Sequence, residues 1–198
     1  MKKRIYKWFK AWVKQTSTES KRVRDLRKSR LSDIQRWSKA NVMHDNWQDR
    51  TVLLSRFIKD HSSVVEFGAG NAILEEVLNQ TISYQPVDIV KRKEHYLVCD
   101  LNVHPVTLDL TPYDTALFSG VLEYVYDLDP LFLALSKSVK YIPLSYACSD
   151  ICTQNRLNNG WLSDYSSFQL EAIFDKYSFR IIKKELWKDQ SIYFLAHE

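Results

Sequence analysis

From residue 63 onward, short apolar runs alternate with segments whose apolar positions recur every three or four residues. The runs "SVVEF", "SYQPVDIV", "HYLVCD", "YDTALFSG", "YIPLSYA", "FRIIKKELW" and "SIYFLAH" predict strands, because side chains alternate faces along a strand and buried strands read as apolar runs. "AILEEVLNQ", "PLFLALSKSV" and "SSFQLEAIFDKY" predict helices between them. This alternation implies an α/β fold with a mainly parallel, seven-stranded sheet between two helical layers. The last two runs are separated only by "KDQ", too short for the crossover a parallel pair requires, so the final strand is expected to run antiparallel.

Before residue 63 the periodicity is helical. "NWQDRTVLLSRFIKDH" sets Trp47, Val52, Leu53 and Phe57 on one side. Ser32 reads as a cap for "DIQRWSKANV". "MKKRIYKWFKAWVKQ" places Ile5, Trp8, Phe9, Trp12 and Val13 on one helical face and lysines opposite. Such a helix lies on a membrane surface, docks on a partner enzyme, or folds back on its own domain. Its lysines interrupt any apolar core, so it does not read as a secretory signal.

Charge sharpens this division. Residues 1–40 hold 14 Lys/Arg and three Asp/Glu, a net of +11, and the remaining residues carry a net of −7. We therefore expect a basic arm over 1–40, with residues 1–30 as its contact segment, and a globular domain over 41–198. The acidic body makes nucleic acid an unlikely ligand within that domain. No apolar stretch approaches the ~20 residues of a membrane span. The expected location is cytoplasmic, peripheral at the inner face of the membrane. Cys99, Cys148 and Cys152 are too few for a disulfide framework, and Cys148 and Cys152 lack a zinc-ligand spacing, so no metal is expected.

Four glycines serve the whole chain, and two of them stand in "VVEFGAGNA". At the end of a first strand, Gly68 permits a tight turn and Gly70 removes a Cβ where a ligand would approach. An ordinary strand–helix turn uses glycine similarly. A dinucleotide fingerprint requires a third glycine where Ile73 stands, which argues against NAD.

With "YQPVDIV", "VCDLN", "YDTALFSGVLEYVYD" and the hairpin "FRIIKKELWKDQSIYFLAHE", the chain from about residue 47 to the end resembles the class I S-adenosylmethionine-dependent methyltransferases, whose fold is Rossmann-like. The resemblance implies S-adenosylmethionine as cofactor. It implies that Glu66 orients the methionyl ammonium and that Gly68 and Gly70 give backbone contacts to that moiety. Asp88 would take the ribose hydroxyls and Asp100 the adenine amino group, with the N–H of Leu101 or Asn102 on a ring nitrogen. Ser119 and Gly120 would present carbonyls to the ammonium, and Leu122 would pack beside the cofactor. Tyr124 stands where relatives often carry a histidine.

For the acceptor, a hydroxyl benefits from a general base. His104, Asp150 and Tyr124 are the candidates, with His44 weaker, and each also reads as a surface, capping or packed residue. Trp161 and Tyr165, in "NRLNNGWLSDYSS", are expected to line the acceptor pocket. Arm charge and pocket polarity favour a small molecule or a surface-glycan or lipid-linked sugar as acceptor. An RNA methyltransferase using the arm, and a non-catalytic scaffold, remain alternatives.

Overall fold

The computed structural model describes residues 18–39 and 47–198. Every apolar run identified above forms a strand: Ser63–Phe67 (β1), Ser83–Asp88 (β2), Leu97–Val98 (β3), Thr115–Phe118 (β4), Tyr141–Tyr146 (β5), Phe179–Trp187 (β6) and Gln190–His197 (β7). They form one sheet in the order β3-β2-β1-β4-β5-β7-β6, parallel throughout except for β7, which runs antiparallel to both its neighbours. The order reverses between β1 and β4, which opens a crevice at their carboxyl ends.

Helices cover both faces. Residues 18–29 (α1) and Ile34–Trp37 (α2) precede Gln48–Ser55 (α3), Ile73–Val77 (α4), Asp129–Leu135 (α5) and Ser167–Lys176 (α6). The strand period divides the core. Val65, Phe67, Ala116 and Phe118 pack with α5 and α6, while Val64 and Leu117 pack with Leu54 of α3 and Leu74 of α4. α6 starts with a capping box, Ser166 accepting from the Gln169 N–H and Gln169 from the Ser166 N–H.

Two elements differ from expectation. α4 is only five residues long, because Ala72 takes a left-handed φ of 57° before it and Asn79 Oδ1 captures the Thr81 N–H after it, a local turn that competes with helix. Asp33, not Ser32, caps α2, accepting the Arg36 N–H at 3.1 Å.

α1 and α2 lie against the domain. Val23 is fully buried, and Arg27 forks onto Asp164 at 2.6 and 2.8 Å while also donating to the Trp161 carbonyl. The Tyr126 hydroxyl donates to the Leu26 and Leu31 carbonyls at 2.7 and 2.9 Å. Arg22 pairs bidentately with Asp33, whose side chain is 1% exposed. The amphipathic helix expected over residues 1–15 lies outside the described residues.

Candidate functional site

Three carboxylates stand at or just beyond the ends of adjacent strands: Glu66 on β1, Asp88 on β2 and Asp100 after β3. Between them the chain turns at Gly68, with φ of +65°. A Cβ there would sit 2.4 Å from Val121 Cγ2, so the turn fits only glycine without rearrangement. Glu66 is almost wholly buried, and burial pushes its pKa up to about 8 against the opposing 2.5 Å bond from the Tyr84 hydroxyl. Asp88 Oδ2 accepts from the Gly70 N–H and from Arg92 Nε, both at 3.0 Å, leaving Oδ1 only the 3.3 Å contact from the Val90 N–H. Asp100 Oδ1 accepts from Ser32 Oγ at 2.6 Å and from the Asn102 N–H at 2.9 Å.

The crevice is bordered by Gly68, Asp88, Asp100, Leu101, Ser119 and Gly120, six of the nine residues expected to hold a cofactor. Glu66 and Gly70 line an adjoining recess. Gly70 exposes less backbone than expected, since its N–H binds Asp88 and its carbonyl receives the Tyr96 hydroxyl at 3.0 Å. Leu122 is fully buried in the core cluster that also holds Leu101 and Val125 of the crevice lining. Ser119 is engaged by Arg50. Its carbonyl accepts Arg50 Nη2 at 3.2 Å and its hydroxyl accepts Arg50 Nε at 3.1 Å.

Arg50 is the residue that the sequence reading missed. It is buried, a cost that pulls its pKa down against the opposing charge of Glu123, and among the described residues its hydrogen bonds go to Ser119 and the Gln190 side chain, all uncharged. A Cβ on Gly120 would lie 2.2 Å from its Nη2, so Gly120 exists there to admit a guanidinium. Ser32, Asp33 and Trp37, from the segment read as an arm, form the roof. Under this roof the crevice measures about 110 Å³ and the recess about 70 Å³, below the usual range for small-molecule sites.

Beside the crevice, and sharing Trp37, Trp47, Arg50, Gly120 and Tyr124 with it, lies a basin of about 360 Å³. Tyr124 thus sits between the two, its ring edge-on to Trp37 at 4.9 Å. Burial pushes its pKa to about 12, so at neutral pH it is a phenol and a hydrogen-bond donor, not a base. Trp161 lines the basin as expected; Tyr165 does not, donating instead to the Tyr126 carbonyl at 3.2 Å. Two expected bases are corrected. His104 is exposed and borders neither cavity, because Asn102 ties the loop back to Tyr124 and Tyr126 before the chain reaches it. Asp150 is exposed and accepts the Ser167 N–H and hydroxyl, bracing the start of α6. His44 lies outside the described residues.

Solved structures of similar shape identify the fold. One is an S-adenosylmethionine-dependent methyltransferase from Mesorhizobium loti, with a TM-score of 0.61 and 12% identity over 74% of this chain and 96% of that one. The chain has the methyltransferase fold. The N-methyltransferase NodS from Bradyrhizobium japonicum WM9, bound to S-adenosylhomocysteine, aligns with a TM-score of 0.55 at 12% identity, covering 77% of this chain and 86% of that one. The N-terminal domain of EvdMO1 with S-adenosylhomocysteine and D-fucose aligns at 0.53 and 16% identity, over 78% and 83%. No protein-family model and no curated protein matches the sequence. In this methyltransferase fold the crevice occupies the carboxyl ends of the strands, where open α/β sheets take their ligands.

Proposed function

We infer that the protein is an S-adenosylmethionine-dependent methyltransferase acting on a hydroxyl of a small molecule, a surface glycan or a lipid-linked sugar. The observation that carries this is the convergence of Glu66, Asp88 and Asp100 around the Gly68 turn, in a fold whose solved examples bind S-adenosylhomocysteine. The residues fit the group. Asp88 Oδ1 suits a ribose hydroxyl, Asp100 Oδ2 suits an adenine amino group, and Glu66 suits an ammonium. Arg50, a buried cation whose hydrogen bonds go to neutral groups and which feels the charge of Glu123, suits the methionyl carboxylate.

S-adenosylmethionine supplies an electrophilic methyl group on a sulfonium. The chain's own task is to position an acceptor oxygen and keep water away. Tyr124 and Trp37 stand where the basin meets the crevice, so an acceptor in the basin reaches the crevice past their rings. The acidic body speaks against RNA as acceptor. We also place the outward basic face of α1 against an anionic membrane surface.

Calorimetry with S-adenosylhomocysteine tests the cofactor reading. The full chain should bind it, and Asp100→Ala should weaken binding at least tenfold with the melting temperature little changed. Absence of heat at millimolar concentration would favour a scaffold.

A further inference from the structure

The basin holds all four tryptophans found among the described residues, Trp37, Trp47, Trp161 and Trp187. Aromatic walls of this kind accept either a cation or the C–H face of a ring. A cationic ligand is disfavoured here. Three of those rings have a cation of the protein itself nearby, whose charge repels a second one: Arg36 at 5.4 Å from Trp37, Arg156 at 4.7 Å from Trp161 and Lys188 at 4.3 Å from Trp187.

The polar lining is of another kind. Gln154 donates to Asp189 Oδ2 at 2.6 Å, and Asn159 donates to Gln154 Oε1 at 3.0 Å. This joins three planar polar groups in one chain at the edge of the aromatic surface; Cys152 Sγ also donates to Asp189 Oδ2 at 3.3 Å, and among the described residues no hydrogen bond reaches Oδ1. Such an array matches neighbouring hydroxyls, each of which both donates and accepts. At the basin's border Glu123, 1% exposed, accepts the Ala147 N–H on Oε1 at 2.8 Å; among the described residues Oε2 has no hydrogen-bond partner, and the carboxyl feels the charges of Arg50 and Arg156. A buried oxygen in that state is costly unless a ligand or a trapped water completes it. The volume of about 360 Å³ gives room for one or two ring-sized groups.

We propose that this basin is a saccharide subsite, in which tryptophan faces stack on a sugar ring, the Asn159–Gln154–Asp189 array reads its hydroxyls, and the ring's far edge is presented past Tyr124 to the cofactor crevice. The proposal deepens the methyltransferase reading and rests on it for the direction of presentation, but saccharide binding itself is measured independently of transfer.

The test uses the full chain, with and without saturating S-adenosylhomocysteine. It is titrated with methyl glycosides of neutral hexoses, a uronic acid and a hexose phosphate, and for comparison with choline and an oligouridylate. Tryptophan fluorescence and saturation-transfer NMR report binding. At least one sugar should saturate, with transfer to its ring C–H protons. Gln154→Ala and Trp187→Ala should each weaken it about tenfold or more, while S-adenosylhomocysteine affinity stays within about twofold. Binding of no sugar by a protein that binds S-adenosylhomocysteine overturns the subsite and leaves the cofactor reading standing. Saturation by choline or oligouridylate in place of sugar also overturns it. Sugar binding without S-adenosylhomocysteine binding keeps the subsite and overturns the cofactor reading.

Discussion

Glu66 is protonated at pH 7, since burial lifts its pKa to about 8 and neighbouring Asp88 adds to the lift. In the unfolded chain the same carboxyl ionises near its ordinary value. Between the two values the folded protein holds a proton that the unfolded chain has released, so stability falls as pH rises from about 4.5 to about 8 and levels off above it. The slope attributable to this group is at most about 1.4 kcal/mol per pH unit. Glu66→Gln, which cannot ionise, should remove that slope. Urea unfolding at successive pH values compares the two proteins, and parallel stability curves would refute the protonated state. An ammonium brought beside Glu66 reverses the balance and draws the proton off. Cofactor binding at pH 7 should therefore release a proton, read from calorimetry in buffers of different ionisation enthalpy, and Glu66→Gln should abolish the release.

At the scale of elements, the central strands were legible because both faces of the sheet are buried there, so β1, β4 and β5 are apolar runs. Glu66, Asp88 and Asp100 stand at or just beyond the ends of β1, β2 and β3. Arg50 was not legible. On α3 an arginine reads as solvated, and only its fit over Gly120, 70 positions away, shows otherwise. The roof was hidden for the same reason: Ser32 reads as a helix cap until it meets Asp100, and Asp33, which is the cap, also meets Arg22. That roof covers a crevice of about 110 Å³, so opening of α2 is the expected way in for a nucleoside with its amino-acid tail. The Arg22–Asp33 pair is the latch. Removing Arg22 alone strands a buried carboxylate; since Arg22 is itself partly exposed, the loss should be about 1–3 kcal/mol, below that of a fully buried pair. Arg22→Ala with Asp33→Asn should recover more than half of it. Amide exchange over residues 18–39 should quicken in Arg22→Ala, and S-adenosylhomocysteine should leave faster. An unchanged off-rate would mean that the roof does not gate the site.

For the whole molecule, the question is where the basic excess points. Part of it faces inward, with Arg22, Arg27 and Arg36 paired to Asp33, Asp164 and Glu19. The rest faces out. Lys21, Arg24 and Lys28 are exposed and, spaced three and four apart, share one face of α1, with Arg30 and the exposed Leu31 and Ile34 beyond them. Residues 1–17 add six Lys/Arg and no acidic residue. Among the described residues no helix is long and apolar enough to cross a membrane. Each basic side chain near an anionic bilayer contributes about 1 kcal/mol, and salt screens it within about 10 Å. The protein should therefore sediment with phosphatidylglycerol vesicles, be released as salt rises from about 50 mM to about 500 mM, and ignore phosphatidylcholine. Reversing Lys21, Arg24 and Lys28 to Glu should lower the partition at least tenfold without altering S-adenosylhomocysteine affinity. Partition that is indifferent to salt and to the reversal would show that charge does not hold the protein there. A lipid-linked acceptor would then have to reach the basin by diffusion alone.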